Sequence, residues 1–200
     1  MTKRIVQVLL VLLLIVGVGY VGYERFRPHA FSGTVLQSPQ PAPDFELTTE
    51  GGKRVRLSDF RGKIVLLFFG YTFCPDVCPT TMRELARAME ILGPKKASQI
   101  QVIMISVDPD RDTPEHLAEY VRAFNPSFIG LTGTPEEIAE VATMYGIYYE
   151  KREGTVATGY LVDHTASVTA IDRDGYVKVL FPFGTTAEQF ADDLAYMLRR

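Results

Sequence analysis

The sequence predicts an α/β domain with a mixed central sheet and helices on both faces, preceded by one N-terminal transmembrane helix. Three observations predict it. Residues 5–23, "IVQVLLVLLLIVGVGYVGY", are apolar throughout except for Gln7. Two later runs, "KIVLLFFG" and "QVIMISV", are apolar without alternation, the pattern of strands buried on both faces. Each of those runs is followed by a segment with helical spacing of apolar residues. The 200 residues, 46% of them apolar, suffice for one ordinary domain with a core.

A helix over residues 5–23 spans roughly 28 Å, about the hydrocarbon thickness of a bilayer. A cleaved signal peptide is the alternative, with Gly17 and Gly19 as a weak small-x-small site. The run is longer than a usual signal core, no Ala-x-Ala follows it, and Tyr20 and Tyr23 suit an interfacial belt, so residues 1–25 read as a retained anchor. Lys3 and Arg4 form a short basic tail that stays in the cytoplasm and puts the domain outside, with Arg25 and Arg27 as the opposing charges. Residues 26–43, "FRPHAFSGTVLQSPQPAP", carry four prolines and read as an extended spacer, leaving residues 44–200 as the folded domain.

The domain opens with "FELTTEGGKRVRLSDF", a hairpin signal around Gly51-Gly52, and then the first buried strand, Ile64–Phe69. Pro79 starts a helix whose apolar face is Met82, Leu85, Ala86, Met89 and Leu92, and Gly93-Pro94 stops it. The second buried strand is Gln101–Val107. Thr113 then caps and Pro114 opens a helix lined by Leu117, Tyr120, Val121 and Phe124. Thr134-Pro135-Glu136-Glu137 is a capping box for a third helix through Ile138, Val141, Ala142 and Tyr145, ending at Gly146. "YLVDHTASVTAIDRDGYVKVLF" reads as two strands joined at Asp172 to Gly175, and Thr185-x-x-Glu188 opens a last helix through Phe190, Leu194 and Leu198. The order hairpin, βα, βα, α, ββ, α fits a thioredoxin-like fold.

Beyond residue 25 the chain carries 18 basic and 23 acidic side chains, which argues against nucleic acid as a partner. Its two cysteines, Cys74 and Cys78, both lie in "GYTFCPDVCP", directly after the first buried strand. Loops at the carboxyl ends of parallel strands form the ligand crevice of open α/β sheets. Cys78 stands near a helix N-terminus, which favours thiolate, and Pro75 restricts the turn between the two. An inert disulfide over three intervening residues removes little unfolded-state entropy. Two working roles stay open: thiol–disulfide exchange, for which the usual spacing has two intervening residues, and metal binding, which needs more ligands.

The chain has three histidines. His29 in the spacer and His116 in a first helical turn read as solvated surface residues. His164, in "VDHTAS", reaches the cysteine loop if the closing hairpin packs beside the central strands; ligand and structural roles are both open to it. Two thiolates and one imidazole are a soft set suited to Cu(I) and, with added oxygen ligands, Cu(II), with zinc as a contaminant. Asp108, Asp110 and Asp112 of "VDPDRDTP" lack the spacing of a calcium loop and read as turn and capping residues.

Four motifs, "LSDFRGKIVLLFFGYTFCPDVCPTTM", "ISVDPDRDTPEHLAEYV", "FIGLTGTPEEI" and "YLVDHTAS", together resemble the Sco/SenC family of membrane-anchored copper chaperones over roughly residues 40–198. The resemblance implies a thioredoxin-like fold and one copper per domain, held by Cys74, Cys78 and His164, with Asp163 as outer support of the histidine. It implies delivery of that copper to the binuclear centre of cytochrome c oxidase subunit II or another copper-accepting protein, and no enzymatic turnover. An anchor beginning at residue 5 leaves no space for a mitochondrial transit peptide, so the expected location is a bacterial inner membrane, single-pass, with the domain in the periplasm. A disulfide reductase that uses Cys74 and Cys78 to keep the acceptor's cysteines reduced is the rival role. A peroxiredoxin-like peroxidase fits poorly, because Tyr71 stands where the activating threonine would precede Cys74.

Overall fold

The structure is a computed structural model that describes residues 29–155 and 159–199, together with residues 7, 12, 13, 15–17 and 19. The expected transmembrane helix lies largely outside the described residues, and among these no helix is long and apolar enough to cross a membrane. The chain forms two compact units, Met1–Ala30 and Phe31–Arg200, and the second is the α/β domain.

The centre of that domain is a six-stranded sheet. Strands β4 (Ile64–Gly70) and β5 (Ile100–Ser106) pair in parallel, from Ile64 opposite Ile100 to Gly70 opposite Ser106. Every residue of both is buried, and because successive side chains point to opposite faces, both faces of the sheet are covered. β6 (Ile129–Leu131) extends the parallel side. On the other side β9 (Val168–Ile171), β10 (Val177–Phe181) and β1 (Thr34–Val35) add antiparallel strands, in the order β1-β10-β9-β4-β5-β6. The expected α/β fold with a mixed central sheet is therefore present.

Four longer helices complete the domain: α1 (Val77–Leu92), α2 (Pro114–Phe124), α3 (Pro135–Met144) and α4 (Ala187–Met197). Thr113 and Thr134 cap α2 and α3 as expected, each accepting from the backbone N–H three residues on. The last cap falls one residue later than expected. Thr186 with Gln189 forms the box, while Thr185 donates its hydroxyl to the Pro182 carbonyl at 2.8 Å. α1 likewise begins at Val77 rather than Pro79, which puts Cys78 inside the first helical turn.

Part of the stretch read as a spacer packs on the domain. Thr34 and Val35 pair with Leu180 and Val179, Leu36 N–H donates to the Lys178 carbonyl at 2.9 Å, and Pro41 bridges Tyr176. This is sheet-edge chemistry, where a proline costs no internal ladder bond.

The hairpin β2 (Glu46–Thr48) and β3 (Arg54–Arg56) turns through Gly51 and Gly52, both at positive φ. The closing segment contains three strands, not two. β8 (Tyr160–His164) leaves the main sheet and, among the described residues, pairs only with β7 (Tyr149–Glu153), with Tyr149 opposite His164 and Glu153 opposite Tyr160. β7 reads Tyr-Glu-Lys-Arg-Glu, four charged residues in succession on an exposed ribbon, so no alternation marks it in the sequence.

Candidate metal centre

The site is built where β4 ends. Gly70 closes the strand, and a Cβ there would stand 2.8 Å from Cys78 Sγ, 2.9 Å from the Phe68 ring and 3.2 Å from the Met104 methyl. Only glycine allows the Cys78 thiol to lie against the strand. The chain then turns through Tyr71, whose carbonyl accepts from Cys74 N–H at 3.3 Å, and enters α1 at Val77. Cys78 N–H, one of the donors left unpaired by the helix in its first turn, donates to Cys74 Sγ at 3.4 Å. Cys78 is buried, Cys74 is half-buried, and both are free thiols.

The β7–β8 ribbon brings His164 to the same place. Its Nε2 is 3.4 Å from Cys78 Sγ, and the two sulfurs and the imidazole lie within 4.8 Å of one another. His164 Nδ1 is 3.1 Å from the Thr165 carbonyl oxygen, which can only accept. Nδ1 therefore carries a proton, and Nε2 is the ring atom that faces the sulfurs. Phe68 and Tyr71 meet the imidazole edge-on at 6.1 and 5.9 Å, and the Tyr71 hydroxyl accepts from Val162 N–H at 3.2 Å.

The two thiols differ. Cys74 is held down at about 3, against an ordinary 9.0, chiefly because the Cys78 thiol donates a hydrogen bond to it; burial opposes this, while His164 and the backbone N–H groups of Cys78 and Asp76 assist. Cys78 is pushed up by the same hydrogen bond and by its burial. The reduced pair is thus one thiolate and one thiol sharing a proton. A soft cation entering between Cys74, Cys78 and His164 meets an anionic sulfur at once and displaces one proton from Cys78.

The other candidates stand elsewhere. His116 lies outside the cluster, with Nε2 3.1 Å from the Thr72 hydroxyl and its ring against Phe73. His29 belongs to the other unit. Asp163 does not support His164: alternation along β8 turns it to the opposite face, where it is 62% exposed and pairs with Arg152 at 3.0 Å.

The aspartates of "VDPDRDTP" do more than shape a turn. Asp110 is exposed and pairs with Lys151. Asp112, fully buried, accepts from the Thr72 N–H at 3.0 Å, the Thr72 hydroxyl at 2.5 Å and the Ser106 hydroxyl at 2.6 Å, tying the cysteine loop to the end of β5. Asp108, also fully buried, accepts from Arg111 Nε and the Tyr160 hydroxyl, both at 2.5 Å. Their signal in the sequence was position: a polar stretch at the carboxyl end of a buried strand, beside the strand that carries the cysteines.

A family model described as SCO1/SenC matches residues 34–199. The chain belongs to the SCO1/SenC family. Among its relatives is the mitochondrial SCO2 homolog of Bos taurus, 34% identical over 172 residues that cover 86% of this chain and 65% of the bovine protein; the chain thus spans less than two thirds of that relative's length. Of solved structures, the apo Sco1 protein of Thermus thermophilus superposes with a TM-score of 0.77 at 44% identity, covering 86% of this chain and 99% of that one. ScoI of Bradyrhizobium japonicum, solved with copper bound, gives 0.71 at 42% identity, covering 79% and 99%. The mixed sheet and helices of this SCO1/SenC domain match those structures.

Proposed function

We propose that this SCO1/SenC chain is a copper-binding assembly protein. Reduced Cys74 and Cys78 hold one copper with His164, and a docked acceptor with its own thiolates removes it by ligand exchange. The observation that carries this reading is the convergence of two sulfurs and an imidazole within 4.8 Å from two separate segments. The donor set is soft, as Cu(I) prefers, and accommodates Cu(II) with added oxygen ligands. The copper-bound relative from Bradyrhizobium japonicum supports the choice of metal. The acceptor we propose is subunit II of cytochrome c oxidase or another copper-accepting protein, and the location a bacterial inner membrane, with residues 5–23 as anchor and the domain in the periplasm. Copper is cargo here, and no catalytic turnover is assigned.

A second reading is favoured by one observation: Cys74, held as a thiolate, is a ready nucleophile, with Cys78 behind it as the resolving thiol. On that reading the chain reduces a disulfide of the acceptor. His164 separates the two roles, because dithiol exchange needs no imidazole ligand.

The test is copper stoichiometry on anaerobically reduced protein. One copper per chain is expected, lost in Cys74→Ala. Binding that ignores the cysteine substitution, or a preference for Mg²⁺ or Ca²⁺, overturns the site.

A further inference from the structure

His164 lies on a strand outside the main sheet: among the described residues β8 pairs only with β7. Besides the histidine's own contacts with Phe68, Tyr71 and Thr165, a second fixture lies at the opposite end of β8. The Tyr160 hydroxyl donates to Asp108 at 2.5 Å, and the Tyr160 carbonyl accepts from an Arg111 terminal nitrogen at 3.0 Å. Arg111 in turn donates Nε to Asp108, so a buried carboxylate and a guanidinium grip the residue from side chain and backbone together. The guanidinium also lies 3.7 Å from the centre of the Tyr160 ring and 4.7 Å from that of Phe73, the neighbour of Cys74. One cation therefore touches both segments that carry proposed ligands.

Strand geometry transmits the grip. Tyr160, Val162 and His164 share one face of β8, and four residues of strand set Tyr160 and His164 about 14 Å apart. Val162 is buried on that face and donates its N–H to the Tyr71 hydroxyl. With Tyr160 fixed at one end and Val162 in the middle, the position of His164 over Cys78 is set.

We propose that Asp108 and Arg111 are positioning residues for His164, acting through Tyr160, so that the Asp108–Arg111–Tyr160 clamp sets the imidazole against the two thiols. The clamp as an aid to metal binding rests on the ligand set proposed above. The clamp as a fixture of His164 does not.

The experiment is a double-mutant cycle on the full chain. Tyr160→Phe removes only the hydroxyl that Asp108 receives and leaves the ring over Arg111, and thermal melting verifies that it folds. Copper affinity, read by chelator competition, is expected to fall about tenfold in Tyr160→Phe, as it does when a partner that orients a ligand is lost. In a His164→Ala background the same substitution is expected to change nothing further. An equal loss in both backgrounds, or no loss in either, overturns the proposal. In metal-free protein, the imidazole resonances of His164 are expected to shift and broaden in Tyr160→Phe, and an unchanged spectrum overturns it. If His164→Ala alone leaves copper affinity intact, the ligand set falls instead, and the imidazole spectrum decides the clamp.

Discussion

His164 Nε2 stands 3.4 Å from Cys78 Sγ although 86 positions of sequence separate them. The contact joins the first turn of a helix to the end of a ribbon outside the main sheet, so each partner can be removed without unmaking the other's support. Replacing His164 with Ala is expected to lower copper affinity by orders of magnitude. The dithiol keeps its turn and its helix N-terminus, so its reduction potential is expected to move by about 30 mV or less, equivalent to roughly 1.4 kcal/mol. Chelator competition and a redox titration on the same variant measure both quantities, and a strain carrying it shows whether oxidase copper falls with the first.

The reduced, metal-free protein is expected to carry one thiolate per chain well into the acid range. Cys74 sits at about 3, below its ordinary value, so its contribution to stability is complete above the ordinary thiol range and is lost as pH falls toward 3. Cys78 is shifted the other way; its contribution is complete below the ordinary range and is lost as pH rises past it. Thiolate absorbance should therefore persist at mildly acidic pH and vanish in Cys74→Ser. Denaturation should show the stability gap between wild type and that variant widening between about pH 4 and pH 8. A gap that is flat over this range contradicts the assignment.

Gly70→Ala places a methyl carbon 2.8 Å from Cys78 Sγ and 2.9 Å from Phe68, neither of which can withdraw from a filled core. Overpacking of this kind costs about 1–3 kcal/mol. The expected result is a lowered denaturation midpoint together with weakened copper binding, since the sulfur moves relative to His164. Loss of stability with unchanged copper affinity would mean the methyl is absorbed elsewhere.

Asp112→Ala strips the acceptor from three donors: the Thr72 N–H, the Thr72 hydroxyl and the Ser106 hydroxyl. The carboxylate is fully buried, so the expected destabilisation is about 2–4 kcal/mol, read from chemical denaturation. Because Thr72 opens the cysteine loop, alkylation of Cys74 in the variant should lose its single rate and become heterogeneous.

The strands β4 and β5 were legible in the sequence because unbroken apolar runs have few alternatives, and the capped helices because Thr-Pro at an N-terminus carries its own chemistry. Cys74, Cys78 and His164 were legible as candidates by residue type and motif. Their convergence was implied by the family resemblance and not by spacing, since it depends on β8 leaving the main sheet for an exposed partner, β7, whose charged residues carry no period. The supporting residues were hidden for a related reason. A buried aspartate looks like a turn aspartate until its donors, here Thr72, Ser106, Arg111 and Tyr160, arrive from segments distant in sequence. Gly70 was hidden because a glycine that makes space for a sulfur has the same letter as one that makes a turn.

The separateness of the β7–β8 ribbon sets the order in which the centre can come apart. Raising the ribbon breaks a few side-chain bonds and no rung of the six-stranded ladder, so its amides should exchange with solvent well before those of β4 and β5. The Cys78 sulfur cannot retreat in the same manner, since Cys78 stands in the first turn of α1 with its thiol against the end of β4. On the proposed ligand set, the imidazole would be the ligand to depart first, and its departure would open one coordination position. An incoming thiolate entering there would meet a metal still held by two sulfurs, so that in hand-over the ion would never be set loose.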